Sequence, residues 1–380
     1  MIRTLFCGDV MAGGVIPYNK NGYIDRALMQ YMRSFDFRIG TLECAVGTNL
    51  PYDEEKMRHT KGIVYMRNED FFRVKEMGFD VMSLANNHST DLGEKGLINT
   101  IQLLEKNNIL HCGAGLTLDE AKKPAVLSKD GITIAIIGCL FKGVAPTIFH
   151  PATDTEYGVF QTTIEEIEKD IKDAKNRYDQ VIVMPHWGEE HSYIPPLYCK
   201  NYAKRMIEAG ADLIIGDHPH IINPVVSFNG KECYFSLGNF LFPDRYLEVP
   251  RPTFYPDLET ENKSYKRVWN FPKSIDEPVL SVHRGHNRVG MAVEAKVKKA
   301  QIKTNYRLVA LGSDNYLRPY KCVNEKIKRF RMLLFGWCVK SPAYPFIRHC
   351  YTSKNNYIRR AVHKLSNFFD IVYDVAVKVD

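Results

Sequence analysis

The 380-residue sequence has no run of about 18 or more apolar residues, which excludes a helical membrane span from the expectation. Its start, "MIRTLFCGDV", enters a strand pattern directly and has none of the layout of a cleaved leader. Nine cysteines are scattered without a CxxC pair or an even framework, so reduced thiols in a cytoplasmic protein are expected rather than disulfides. Neither a repeat nor a low-complexity segment interrupts the chain. Hydrophobic residues make up 45% and charged residues 25%, the composition of a soluble globular protein with one large domain or a large domain and an appendage.

Acidic charge is scarce at one end. From Tyr320 onward there are twelve Lys or Arg and four Asp or Glu, a net +8 against +7 for the whole chain. The first 319 residues therefore sum to −1, and the basic character belongs to the tail.

Over the first 240 residues, short apolar runs alternate with amphipathic stretches. "IRTLFC", "FRIGTLE", "DVMSLA", "ITIAIIGC", "QVIVMPH" and "DLIIGD" read as strands; helices are predicted over 23–33, 69–77, 93–107, 163–177 and 197–209. Thr163 with Glu166 makes a capping box, and Gly210 stops the last helix. Near-continuous Val/Ile/Leu strands are buried on both faces, so the predicted class is α/β with helices around a central sheet. "VVSFNGKECYFSLGNF" adds a hairpin turning at Asn229-Gly230.

In open α/β sheets ligands gather at the C-terminal ends of strands. Here those ends carry Gly8-Asp9, Thr41-Leu42-Glu43, Asn86-Asn87-His88, His186, and His218-Pro219-His220. Each alone reads as a turn, a solvated carboxylate or a packed histidine. Five independent turns, however, have no reason to place only oxygen and nitrogen donors along one edge. Carboxylates, an amide oxygen and imidazoles without a thiolate suit Mn²⁺, Fe²⁺ or Zn²⁺. Asp9, Glu43, Asn87, His186, His218 and His220 exceed what one tetrahedral ion needs, so two ions are implied. Metal-assisted phosphoester hydrolysis is the reaction class such a pair serves.

"GDVM", "GTLE", "SLANNHSTDLG", "PHWGEE", "IIGDHPHIINPV" and "YFSLGNF", in this order and spacing, resemble the CapA-type family of capsule and poly-γ-glutamate biosynthesis proteins, a branch of the calcineurin-like metallophosphoesterase superfamily. The resemblance covers roughly residues 1–312. It implies a four-layer α/β/β/α sandwich with metals at strand ends, Asn87 as a ligand and His88 as the acid that protonates the leaving group. It also implies that Asp9 supplies the first carboxylate, that Glu43 takes the bridging position, that His186 and His218 bind one ion, and that His220 joins Asp9 on the other. Two departures stand out. The superfamily's opening Asp-x-His is Asp9-Val10-Met11, which costs the first ion a strong ligand, and the Arg that often follows "GDVM" is Gly14, which removes a contact to an anionic substrate.

Residues 243–288 break the α/β rhythm with six prolines and many aromatics. A segment of this kind is either functional or disordered, and its aromatics favour an ordered flap inserted in the 1–312 domain near the site. His283, Arg284, His286 and Arg288 are candidates to reach an anion. Residues 313–380 are predicted as a basic amphipathic helical extension. "KIKRFRMLLFGWCVK" and "NNYIRRAVHKLSNFFDIVYDVAVKV" combine basic clusters with apolar anchors, a pattern expected to attach residues 320–380 peripherally to an anionic inner-membrane surface. No nucleic-acid motif accompanies the charge, so no nucleic acid is expected. The expected function is a metal-dependent hydrolase acting on an anionic polymer or phosphoester in bacterial capsule or exopolymer synthesis. The alternative is a metal- and polymer-binding accessory protein without phosphoesterase activity.

Overall fold

The strand Ile2–Val10 alternates its side chains between two hydrophobic cores, and this period-2 pattern sets the layering. In the computed structural model, which describes residues 1–53, 62–142, 149–258, 264–269, 275–320 and 323–352, Ile2 and Phe6 point into a core shared with Ile134, Ile136, Ile182, Met184, Leu213 and Ile215. Leu5 and Cys7 point the other way, onto Leu28, Met32, Val74, Leu97 and Leu104.

Ile2–Val10 sits in an eight-stranded sheet ordered Leu317–Pro319, Gln301–Leu311, Val289–Lys298, Ile2–Val10, Phe37–Leu42, Val81–Ser83, Leu110–Cys112, with Asn239–Leu241 paired to Ile2–Val10 off this path. A seven-stranded sheet runs Gln161–Thr162, Ile132–Phe141, Gln180–His186, Leu213–Ile215, Lys231–Tyr234, Val225–Phe228, with Ala125–Lys129 antiparallel to Ile132–Phe141. The two sheets meet across the shared core. Helices Arg26–Arg33 and Gly93–Lys106 cover the outer face of the first sheet. Ile164–Arg177 and Leu197–Ala209 cover the second, packing Ile167, Ile171, Ala203 and Met206 on Val181, Val183 and Ile214. The class is α/β, with layers in the order helix, sheet, sheet, helix.

Local chemistry explains most boundaries. Thr163 and Glu166 form the expected capping box, and Asp25 accepts from Leu28 N, so the first helix starts at Arg26 rather than 23. The helix expected over 69–77 divides into a 3-10 turn, Asn68–Asp70, and Phe72–Glu76. Asp70 there carries the buried ion pair with Arg73 at 2.7 Å. Asn229 and Gly230 both take positive φ in the hairpin turn, as a type I′ turn requires.

Within 243–288 the described residues form a small sheet, Thr253–Phe254, Arg245–Leu247, Val279–Val282 and Lys266–Trp269, which periodicity had not revealed. Arg288 is not available to an outside anion, because it is buried against both Asp244 oxygens at 2.6 and 2.7 Å and against Gly312 O.

Val323–Lys340 and Tyr344–Thr352 are helices. They lie on the sheets, with Met332 in the shared core and Val339, Tyr344 and Tyr351 in the outer one. The second amphipathic stretch proposed for the tail, 355–379, lies outside the described residues. Among the described residues eight cysteines are free, and no helix is long and apolar enough to cross a membrane.

Candidate metal centre

All seven residues singled out from strand ends converge on one edge of the paired sheets. Asp9 is the penultimate residue of its strand, and Glu43 follows Phe37–Leu42, its N–H donating to Val10 O. Asn86 Nδ2 donates to Leu42 O at 2.8 Å, and its Oδ1 accepts from His88 N at 2.9 Å. One amide of the "NNH" turn therefore ties it to the neighbouring strand and leaves Asn87 and His88 to face the site. His186 ends Gln180–His186. His218 and His220 both have positive φ, 96° and 55°, a costly conformation for a side-chain-bearing residue and one concentrated at functional sites.

Two groups of donors result, each with its ligand atoms within 4.8 Å of one another: Glu43 with His186 and His218, and Asp9 with Glu43 and His220. Glu43 belongs to both and divides its oxygens between them. Oε1 is 3.4 Å from His186 Nε2, and Oε2 is 3.5 Å from His220 Nδ1. His220 Nδ1 is also 3.3 Å from Asp9 Oδ2. In the first group, His186 Nε2 lies 3.1 Å from His218 Nδ1 and 2.8 Å from Asn87 Oδ1. Every one of these residues is buried.

The donor set fits divalent metal. All four oxygens of Asp9 and Glu43 are buried without a hydrogen-bond donor, an arrangement that costs several kcal/mol unless a cation supplies the opposite charge. Burial, with the charge of Glu43 added, raises Asp9 to about 6, and burial raises Glu43 as well. Burial lowers His186 to about 3 and pushes His218 down, so both imidazoles are neutral and can donate a lone pair. Burial also opposes charge on His220, but Glu43 and Asp9 outweigh it and raise His220 to about 10.

His88 stands apart from both groups. Its Nδ1 donates to Asp91 Oδ2 at 2.8 Å, and the same oxygen accepts from Val64 N at 2.6 Å. The imidazole is thereby oriented with Nε2 as the remaining nitrogen.

Four features were not read from the sequence. Asp217 lies between Gly216 and His218 in "GDHPH"; its Oδ2 accepts from Thr41 Oγ1 at 2.5 Å, and burial together with Asp9 raises its pKa. Asn239 Oδ1 is 2.9 Å from His220 Nδ1, and Asn287 bonds both Asn239 and the His220 carbonyl. Arg245 lies beside Gly14. A Cβ at residue 14 would lie 3.1 Å from Arg245 Cγ, and the buried guanidinium is attracted by Glu43 and Asp91. None of these carries a local signal, because each depends on which strands become neighbours.

Among solved structures, a putative 5′-nucleotidase from Staphylococcus aureus is similar to this chain at 14% identity and a TM-score of 0.42, over 88% of this chain and 59% of that one. Among curated proteins, the PGA biosynthesis protein CapA of Bacillus subtilis is 34% identical over 248 residues, 64% of this chain and 63% of the relative. The capsule biosynthesis protein CapA of Bacillus anthracis is 32% identical over 245 residues, 62% of this chain and 58% of the relative. The chain thus matches about three fifths of the length of these relatives. The model of the family described as bacterial capsule synthesis protein PGA_cap matches residues 3–244, which takes in every residue of the two donor groups, and the chain belongs to that family.

Proposed function

We propose that this protein is a metal-dependent hydrolase that cleaves phosphoester bonds in bacterial capsule or exopolymer synthesis, the setting named for its relatives. The observation that supports this most is the sharing of Glu43 between two buried donor groups whose carboxylate oxygens lack donors. Asp9, Glu43 and His220 would hold one divalent ion, and Glu43, Asn87, His186 and His218 a second, with Mn, Fe or Zn suited to these ligands. A bound pair of such ions supplies Lewis acidity and activates water at neutral pH. The protein's own part is to keep His186 and His218 neutral, to hold an anionic phosphoryl group beside the buried Arg245 cation, and to deliver a proton. Asp91 accepts from Nδ1 of His88 and orients the ring, so Nε2 is the nitrogen through which His88 would pass a proton to the leaving-group oxygen. The test is Mn²⁺-dependent turnover of a panel of phosphomonoesters, phosphodiesters and γ-glutamyl peptides. Phosphoester cleavage that chelator abolishes supports the proposal. Metal-loaded protein that turns over no phosphoester assigns it the accessory role instead.

We also propose peripheral attachment to an anionic membrane surface through the helix Val323–Lys340. Phe330, Leu333, Leu334 and Trp337 recur at helical spacing on its outer side, with Leu333 72% and Trp337 70% exposed, and Phe346 on the following helix is exposed as well. Exposed Lys326 and Lys340 flank this stripe. Other basic residues are engaged with the fold: Arg329 pairs with Glu325, Lys328 lies over Tyr320, and Arg331 lies over Tyr193. The apolar stripe therefore contributes more to attachment than the net charge suggests. The full chain is expected to co-sediment with phosphatidylserine vesicles at low salt, and the double substitution Leu333→Glu, Trp337→Glu to abolish it. Deleting 320–380 would be a poorer test, because Val339, Tyr344 and Tyr351 complete the outer core. Undiminished sedimentation of the double variant would contradict the attachment.

A further inference from the structure

The two donor groups are not equally furnished. Glu43, His186 and His218 have Asn87 beside them, four donors in all, whereas Asp9, Glu43 and His220 make three. Met11 cannot supply the fourth oxygen or nitrogen. Its thioether is buried in the apolar core, with Sδ 3.3 Å from Gly13 N.

A fourth donor arrives from elsewhere in the chain. The short strand Asn239–Leu241 pairs in parallel with Ile2–Val10 and places Asn239 directly opposite Asp9. Two glycines permit the approach. A Cβ on Gly8 would lie 1.9 Å from Gly238 O, and one on Gly290 2.2 Å from Asn239 O. Asn239 is buried; its Nδ2 donates to Asn287 O at 2.9 Å, which turns Oδ1 toward His220 Nδ1, also at 2.9 Å. That Nδ1 is the atom facing Asp9 Oδ2 and Glu43 Oε2.

The second group repeats this relation. Asn87 Oδ1 meets His186 Nε2 at 2.8 Å, and that nitrogen faces Glu43 Oε1. In both places an amide oxygen, an imidazole nitrogen and a carboxylate oxygen converge. A ligating imidazole nitrogen carries no proton, so in each group its lone pair would oppose the amide oxygen's unless a cation lay within reach of both.

We propose that Asn239 Oδ1 is a metal ligand of the Asp9, Glu43 and His220 group, completing it as Asn87 completes the other. The inference rests on the two-ion reading above and assigns to "SLGNF" a role in binding metal. It accounts for how a chain with Met11 after Asp9-Val10 still assembles four donors: the missing ligand comes from a neighbouring strand rather than from the same one.

The test is Mn²⁺ titration of the metal-free full chain by calorimetry, with bound metal counted after buffer exchange and visible spectra recorded on the Co²⁺-loaded protein. Wild type is expected to bind two Mn²⁺. Asn239→Ala is expected to keep one at wild-type affinity and to bind the other at least about tenfold more weakly. Asn239→Asp, which keeps an oxygen in place, is expected to restore the second ion. At saturating Co²⁺, Asn239→Ala should alter the visible bands, since a ligand is lost, whereas a residue that only steers His220 would leave them unchanged. Two ions at wild-type affinity in Asn239→Ala, or unchanged Co²⁺ bands, would overturn the assignment. If Asn239→Ala fails to melt cooperatively, weak binding by Asn239→Asp overturns it equally. Wild-type protein that binds no Mn²⁺ would sink the two-ion reading itself, a result distinct from failure at Asn239.

Discussion

Replacing Glu43 with glutamine is expected to remove both ions at once and to reduce turnover to that of chelator-treated protein. Glu43 is the one carboxylate common to the two donor groups, with Oε1 directed at His186 and Oε2 at His220. An amide carries no charge and offers a single acceptor oxygen, so neither group keeps its ligand set. Asp9→Asn should instead deplete only the ion held with His220, and His218→Ala only the ion held with His186. Metal analysis of the three proteins distinguishes the patterns. Thermal melting gives an independent readout, because a ligand present at about 100 times its Kd stabilises the native state by about 2.7 kcal/mol. Mn²⁺ should raise the melting temperature of wild type and leave that of Glu43→Gln unchanged. Glu43→Gln protein that retains both ions would show that the groups do not share this residue as a ligand.

His88→Ala is expected to keep its metal and to lose about 10²- to 10⁴-fold in kcat on esters with poor leaving groups. The loss should shrink toward nothing on nitrophenyl esters, whose leaving group departs without a proton. The reasoning is geometric. His88 belongs to neither donor group, and its Nδ1 is taken by Asp91 Oδ2, which Val64 N also holds. Asp91→Asn should lower kcat by less, since the amide oxygen can still accept from Nδ1 and hold the ring. Loss of metal from His88→Ala would make His88 a ligand and reverse this division of labour within "NNH".

The edge that carries the site was legible because the strands announced themselves as apolar runs and five of the six runs ended in a donor. Asp9, Glu43, Asn87, His186, His218 and His220 lie at or just beyond the C-terminal ends of strands of three to nine residues, so their placement at one edge depends on parallel pairing within each sheet and on the two sheets packing with those ends together. Helix Leu197–Ala209 and the capping box at Thr163 were equally local and equally visible. Asn239 was not. In "SLGNF" it follows a glycine at the end of a hairpin, and its position opposite Asp9 depends on a pairing between residues about 230 apart in sequence. Asp217 closed the strand run "DLIIGD" without an assigned role for the same reason, since its contact with Thr41 joins two different sheets. The segment 243–288 hid a small sheet because its strands have two to four residues, too short to establish a period. Arg245 lies beside Gly14 because the strand Arg245–Leu247 returns to the turn after Ile2–Val10, a proximity between residues far apart in sequence that leaves no trace in local pattern.

The most direct test of the shared-Glu43 centre is anomalous scattering from crystals grown with Mn²⁺, recorded at the manganese edge. Two peaks are expected about 3.5 to 4 Å apart, one beside Asp9 and His220 and one beside His186 and His218, with the Glu43 carboxylate reaching both. A single peak away from Glu43, or no peak at manganese concentrations that saturate binding in solution, would contradict the account.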